Sequence, residues 1–180
     1  MKFKKLVIVL VIIVIAFFGT ESLLKSYVFP FKHKEAILEY SKEYNLDPYL
    51  VLAVIKAESK FNSNAESHKG AMGLMQITAA TAQDIANQMG LTDYSKEKLY
   101  EEDYNIRMGC WYLNDLRNEF GNMDLFIAAY NAGRGNVTKW LNNSEYSKDG
   151  KKLDYIPFKE TKKYVDRVNT YFRIYKALYE

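Results

Sequence analysis

Glu58 closes the run YLVLAVIKAE, residues 49–58. Val51, Val54, Ile55 and Glu58 follow the i, i+3, i+4, i+7 spacing of one helix face. The carboxyl group therefore stands where the next core residue is expected. Burial penalises an ionised carboxylate and favours the neutral acid, and an acid still protonated near pH 7 is what general acid catalysis requires. Taken alone, the position also fits the solvated end of a helix. The residues that follow supply chemistry of a compatible kind. Gly70 and Gly73 allow a tight turn and close approach to a ligand. Gln76 offers both a donor and an acceptor, suited to amides and sugar hydroxyls. Tyr130 follows the apolar FIAA, so its ring is expected to be buried and its hydroxyl to need a partner, for which a neutral Glu58 is a candidate.

These residues need a scaffold, and the patterning predicts a mostly α one. Asp47 and Pro48 open the helix that ends at Glu58. An amphipathic helix, KHKEAILEYSKEYN, precedes it. After the polar, glycine-containing loop NSNAESHKGAMG comes a helix capped by Thr78 and closed by Gly90, then a long helix closed by Gly121. MDLFIAAYNAG and GNVTKWLNN read as short helices, and KETKKYVDRVNTYFRIYKALYE as a long last one. No convincing alternating strand is present. The expectation is one compact helical domain over residues 33–180.

The N-terminus is different. MKFKK precedes an unbroken apolar run from Leu6 to Phe18, which reads as a signal anchor or signal peptide over residues 1–24, with residues 25–32 as a juxtamembrane linker. The run is short for a full span, and no clear cleavage site follows it, which favours an uncleaved anchor. With the positive end inside, the helical domain lies on the extracytoplasmic side of the cell membrane, or is exported to the wall if the segment is cleaved.

The 180 residues carry 25 basic and 22 acidic side chains. Without Lys2, Lys4 and Lys5 the remainder is balanced, which argues against a nucleic-acid partner. The lone Cys110 excludes an intrachain disulfide and reads as a small buried residue. His33 and His68 are too isolated to suggest a zinc site, so neither metal nor cofactor is expected.

Four fragments, ESKFN, SHKGAMGLMQIT, AAYNAG and PFKETKKYV, occur in that order. Together they resemble the catalytic domain of the soluble lytic transglycosylases, lysozyme-like enzymes that cut bacterial peptidoglycan, over residues 38–178. The resemblance implies that Glu58 is the single catalytic acid and base. It implies that Ser67 contacts the substrate N-acetyl group and that Met75 and Gln76 line the groove near the scissile bond. Tyr130 matches the tyrosine whose hydroxyl reaches the glutamate, with Asn131 beside it. Glu160 and Tyr164 match the late motif that closes one side of the groove. Ser59, Gly70 and Gly73 are supporting positions. Without the resemblance, Ser67 and Asn131 read as loop or capping residues, Met75 as core filler, Tyr164 as packing, and Glu160 as a favourable charge at a helix N-terminus.

Glycosidases commonly use two carboxylates. Glu66 and Asp84 are near in sequence, yet neither sits in a second catalytic motif. The family implies a solution that needs only one: the muramyl N-acetyl group stabilises the cationic centre and the 6-hydroxyl closes a 1,6-anhydro ring. A goose-type muramidase hydrolysing the same bond, or an inactive peptidoglycan-binding scaffold, are the competing readings. The expected partners are glycan strands, the membrane through the N-terminal segment, and cell-wall or secretion machinery.

Overall fold

The structure is a computed structural model and describes residues 19–180. The expected signal or anchor segment falls mostly outside these residues. Among the described residues no helix is long and apolar enough to cross a membrane. The chain is mostly α as expected. A π-helical turn, Leu24–Val28, leads into α1 (Lys34–Glu43) and α2 (Pro48–Glu58). A two-stranded hairpin, β1 (Ala71–Met72) and β2 (Ile77–Thr78), precedes α3 (Ala79–Met89). A 3₁₀ turn (Lys96–Tyr100), α4 (Glu102–Phe120), α5 (Met123–Ala132), α6 (Arg134–Leu141) and α7 (Lys159–Tyr179) complete the chain.

The helix boundaries follow local chemistry. The Asp47 side chain accepts from the Tyr49 amide, with Pro48 at the first helical position. The Thr78 hydroxyl accepts from Thr81 N, and Asn122 accepts from Asp124 N and Leu125 N. Gly90, in the left-handed region, ends α3.

α2 is the central element, with Leu50 through Ile55 all buried. It packs most extensively against α7, whose Tyr164, Val165, Val168 and Tyr175 form the buried face. α4 packs against α1 on one side and α5 on the other. Cys110 is buried on α4, as expected, and burial pushes its thiol pKa well up.

Two expectations need correction. The segment read as a plain loop contains the short hairpin, paired Ala71 to Thr78 and Met72 to Ile77, with a further bridge from Glu66 to Met72. Strands of two residues leave no alternation to read. Within residues 25–32, read as a linker, Phe29 is docked: it is buried, its ring edge-on to Tyr171 and Tyr175.

Candidate active site

A cleft of about 940 Å³ runs between the end of α2, the hairpin, the α5–α6 turn and the start of α7. Glu58, Ser67, Gln76, Tyr130, Asn131 and Glu160 all line it. The tertiary fold thus brings together six of the expected groove residues from four separate stretches of chain.

Glu58 is the last residue of α2, so its side chain leaves the core stripe at the point where the helix meets the cleft. One edge is open to the cleft and the rest is enclosed by protein. That enclosure raises its pKa to about 7; a hydrogen bond from Tyr164 and, less strongly, the positive charge of Arg167 pull the other way. The Tyr164 hydroxyl donates to Glu58 Oε1 at 2.6 Å. Its own pKa is held well above 10 by burial and by the charge of Glu58, so it remains a donor.

This corrects the expected partner. The Tyr130 hydroxyl donates instead to the Met75 carbonyl at 2.8 Å. Tyr130 remains a neighbour of the acid, since the charge of Glu58 raises its pKa. Tyr164 is only 2 % exposed, so it cannot touch substrate; it positions Glu58. Met75 is also corrected. Its side chain is fully buried against α4, where a Cβ on Gly109 would come within 2.2 Å of the Met75 sulfur. It belongs to the core and reaches the site only through its backbone.

The hairpin wall is held by polar contacts. Gln76 has φ +51° and its amide NH₂ donates to Ala65 O and Gly73 O, at 3.0 and 2.9 Å, leaving its oxygen for the cleft. Gly73 has φ +76°, and a Cβ there would lie 2.2 Å from Leu99 O and 2.3 Å from Asn105 Nδ2. Gly70, at φ +73°, has open space around it and serves the turn alone. The Ser67 hydroxyl accepts from the Ala71 amide. Asn131 Oδ1 accepts from the Thr161 hydroxyl at 2.9 Å, tying the α5–α6 turn to α7. Glu160 is exposed in the first turn of α7, so the dipole and groove readings of it coexist. Ser59 is buried and its hydroxyl donates to Ile55 O, so that hydrogen bond finishes α2 and is not made to Glu58.

Asn105 was missed by sequence reasoning. Fully buried on α4, it accepts from Met75 N at 2.7 Å and donates to Met72 O at 3.0 Å and Leu99 O at 2.7 Å. Two backbone groups of the hairpin and one of the 3₁₀ turn are thereby satisfied by one side chain. The signal existed: Asn105 occupies the apolar stripe shared with Met108, Gly109 and Leu116, as Glu58 does on α2.

Of the two other carboxylates considered, Glu66 accepts from the Tyr100 hydroxyl and Asp84 lines a neighbouring cleft. Neither lines the cleft of Glu58. Among the described residues no cluster of His, Cys, Asp or Glu is arranged to hold a metal.

Residues 35–153 match the family described as "Transglycosylase SLT domain". A soluble lytic murein transglycosylase of Salmonella typhimurium is 35 % identical over 82 % of this chain and 23 % of its own length. A membrane-bound lytic murein transglycosylase C of Glaesserella parasuis is 34 % identical over 61 % of this chain and 33 % of its own. Among solved structures, an inactive Glu-to-Gln mutant of the lytic transglycosylase Slt from Pseudomonas aeruginosa superposes with a TM-score of 0.75 at 34 % identity, covering 86 % of this chain and 25 % of that one. The chain spans about a quarter of the length of the soluble relatives it matches. With the cleft, its enclosed glutamate of raised pKa and these matches agreeing, the chain belongs to the SLT family of transglycosylase domains.

Proposed function

We propose that this domain is a peptidoglycan lytic transglycosylase that cleaves the β-1,4 bond between N-acetylmuramic acid and N-acetylglucosamine. The observation that carries the reading is Glu58: a carboxyl group on the cleft wall, with a pKa raised to about 7 by enclosure and a buried tyrosine fixing its orientation. Near neutral pH a large fraction of it holds a proton. Glu58 donates that proton to the glycosidic oxygen as the C1–O bond breaks. The substrate's N-acetyl carbonyl stabilises C1. Ionised Glu58 then removes the proton of the muramyl 6-hydroxyl, whose oxygen bonds to C1 and closes the 1,6-anhydro ring. The Glu58 proton is restored and no water is consumed.

Tyr164 suits both steps, because its hydroxyl donates to the carboxylate when it is charged and its ring excludes water from that side. Ser67, the Gln76 oxygen and Asn131 supply polar contacts for N-acetyl and hydroxyl groups along the cleft. The solved relative described as an inactive Glu-to-Gln mutant agrees with a glutamate carrying the reaction. The proposed setting is the extracytoplasmic face of the cell membrane, with the N-terminal apolar segment as anchor.

Mass spectrometry of fragments released from purified peptidoglycan tests the reading. Muropeptides with anhydro ends, about 18 Da lighter than hydrolysed ones, are expected. Reducing ends would replace it with a hydrolase, in which Glu160, the other carboxylate on the cleft, becomes the candidate second group. Binding without release of fragments by the folded protein would leave a scaffold.

A further inference from the structure

The segment before α1 has two unlike faces. Residues 19–28 form a continuous helix that turns π-helical from Leu24 to Val28. One side is docked on the domain. Lys25 pairs with Glu21 and sits 5.2 Å over the Tyr179 ring. The Tyr179 hydroxyl donates to Phe29 O at 2.8 Å, and Lys56 of α2 donates to Val28 O while lying 4.6 Å over the Phe29 ring. The other side carries Leu23, Leu24, Tyr27 and Val28, which are 59, 39, 80 and 45 % exposed. Their spacing places them on one helical face. Among the described residues these are four of the seven large hydrophobic residues left exposed, so the exposed apolar side chains are concentrated on this face.

We infer that this exposed face lies in the headgroup layer of the lipid bilayer, so that residues 23–31 form a strap seating the catalytic domain directly on the membrane. The inference rests on the membrane reading of the N-terminal sequence and extends it. Continuity argues for lipid as the occupant. The apolar run Leu6–Phe18 ends where the described helix begins, and the ten residues from 19 to 28 span about 15 Å of helix. The docking of Phe29 leaves no slack between the run and the domain. A leucine, valine and tyrosine face is the composition expected at the boundary between headgroups and acyl chains. The domain is then held at a fixed height by contacts to α7 and to Lys56, which is two residues from Glu58.

Spin labels test this in the full chain reconstituted into phosphatidylglycerol–phosphatidylethanolamine vesicles. Leu24→Cys and Tyr27→Cys place the label on the face, and Asp149→Cys places it in an exposed loop. The native Cys110 is buried and does not compete for the reagent. At positions 24 and 27 collision with a water-soluble nickel chelate is lost and collision with oxygen is gained, relative to position 149. Labels at 24 and 27 that stay as open to the chelate as 149, in protein that pellets with the vesicles, overturn the strap and leave the membrane reading standing. Protein that does not associate with vesicles overturns both. Protection that appears only at high protein-to-lipid ratio assigns the face to a second copy of the chain and also overturns the proposal.

Discussion

The two walls of the cleft are built by different physics. The α2–α7 wall is a helix-on-helix interface: apolar stripes pack, and Glu58 and Tyr164 meet because each sits on the stripe of its own helix. The hairpin wall has only two paired residues per strand; it buries Met72, Leu74, Met75 and Ile77 in the core, and Asn105, Gly73 and the Gln76 amide add the polar and close backbone contacts that fix its shape. The first wall holds the carboxyl group of raised pKa, and the second holds the shape. A change on the first should therefore alter chemistry and pH response, and a change on the second should cost stability.

The largest effect expected is on chemistry. Glu58→Gln should lower turnover of peptidoglycan by about 10³-fold or more while binding of glycan strands persists; a variant that still digests peptidoglycan would sink the assignment. On the hairpin wall, Gly73→Ala should cost about 3 kcal/mol or more, because a Cβ meets Leu99 O and Asn105 and φ is +76°. Denaturant unfolding measures it, and a loss under 1 kcal/mol would mean the wall is far softer than its contacts imply. Asn105→Ala leaves Met75 N, Met72 O and Leu99 O unpaired in the interior, for a loss of about 2–3 kcal/mol.

The acid wall responds to pH in a predictable sense. The pKa of Glu58 is raised in the folded state, from an ordinary 4.5 to about 7. Its contribution to stability is thus fully present below about pH 4.5 and lost as pH rises through 7. Glu58→Gln should therefore be more stable than the parent at pH 8.5, by up to about 3 kcal/mol, and near neutral in effect at pH 4. Thermal unfolding at both values checks it, and equal shifts at the two would refute it. The smallest effect is expected for Tyr164→Phe. Removing the donor raises the Glu58 pKa further, so the alkaline limb of the activity profile moves to higher pH while turnover falls about tenfold.

The periodic parts of this molecule were legible. Asp47, Thr78, Gly90 and Gly121 marked helix ends that the structure keeps, because caps act within one turn. The hairpin and the docked Phe29 were not legible. Two-residue strands carry no period, and Phe29 is held by residues of α2 and α7, far away in sequence. Motif order picked out six residues that line the cleft, but it did not show that Met75 and Tyr164 lie behind its wall or which hydroxyl reaches Glu58. Tyr130 and Tyr164 are both tyrosines on apolar faces, and only the placement of α7 against α2 decides that Tyr164 reaches Glu58 while Tyr130 turns to Met75 O.

By itself, the sequence determined the helical class, the helix ends, the order of the four motifs and the placing of a carboxyl group on a core stripe. Those features depend on interactions between residues a few positions apart. The tertiary structure alone decided how far that carboxyl group is enclosed, which hydroxyl holds it, that Met75 is core and that Asn105 ties the hairpin to α4. The reason is physical: a shifted pKa and a buried hydrogen bond depend on every group within a few ångströms, and at this site those groups come from α2, α5, α7 and the hairpin between them.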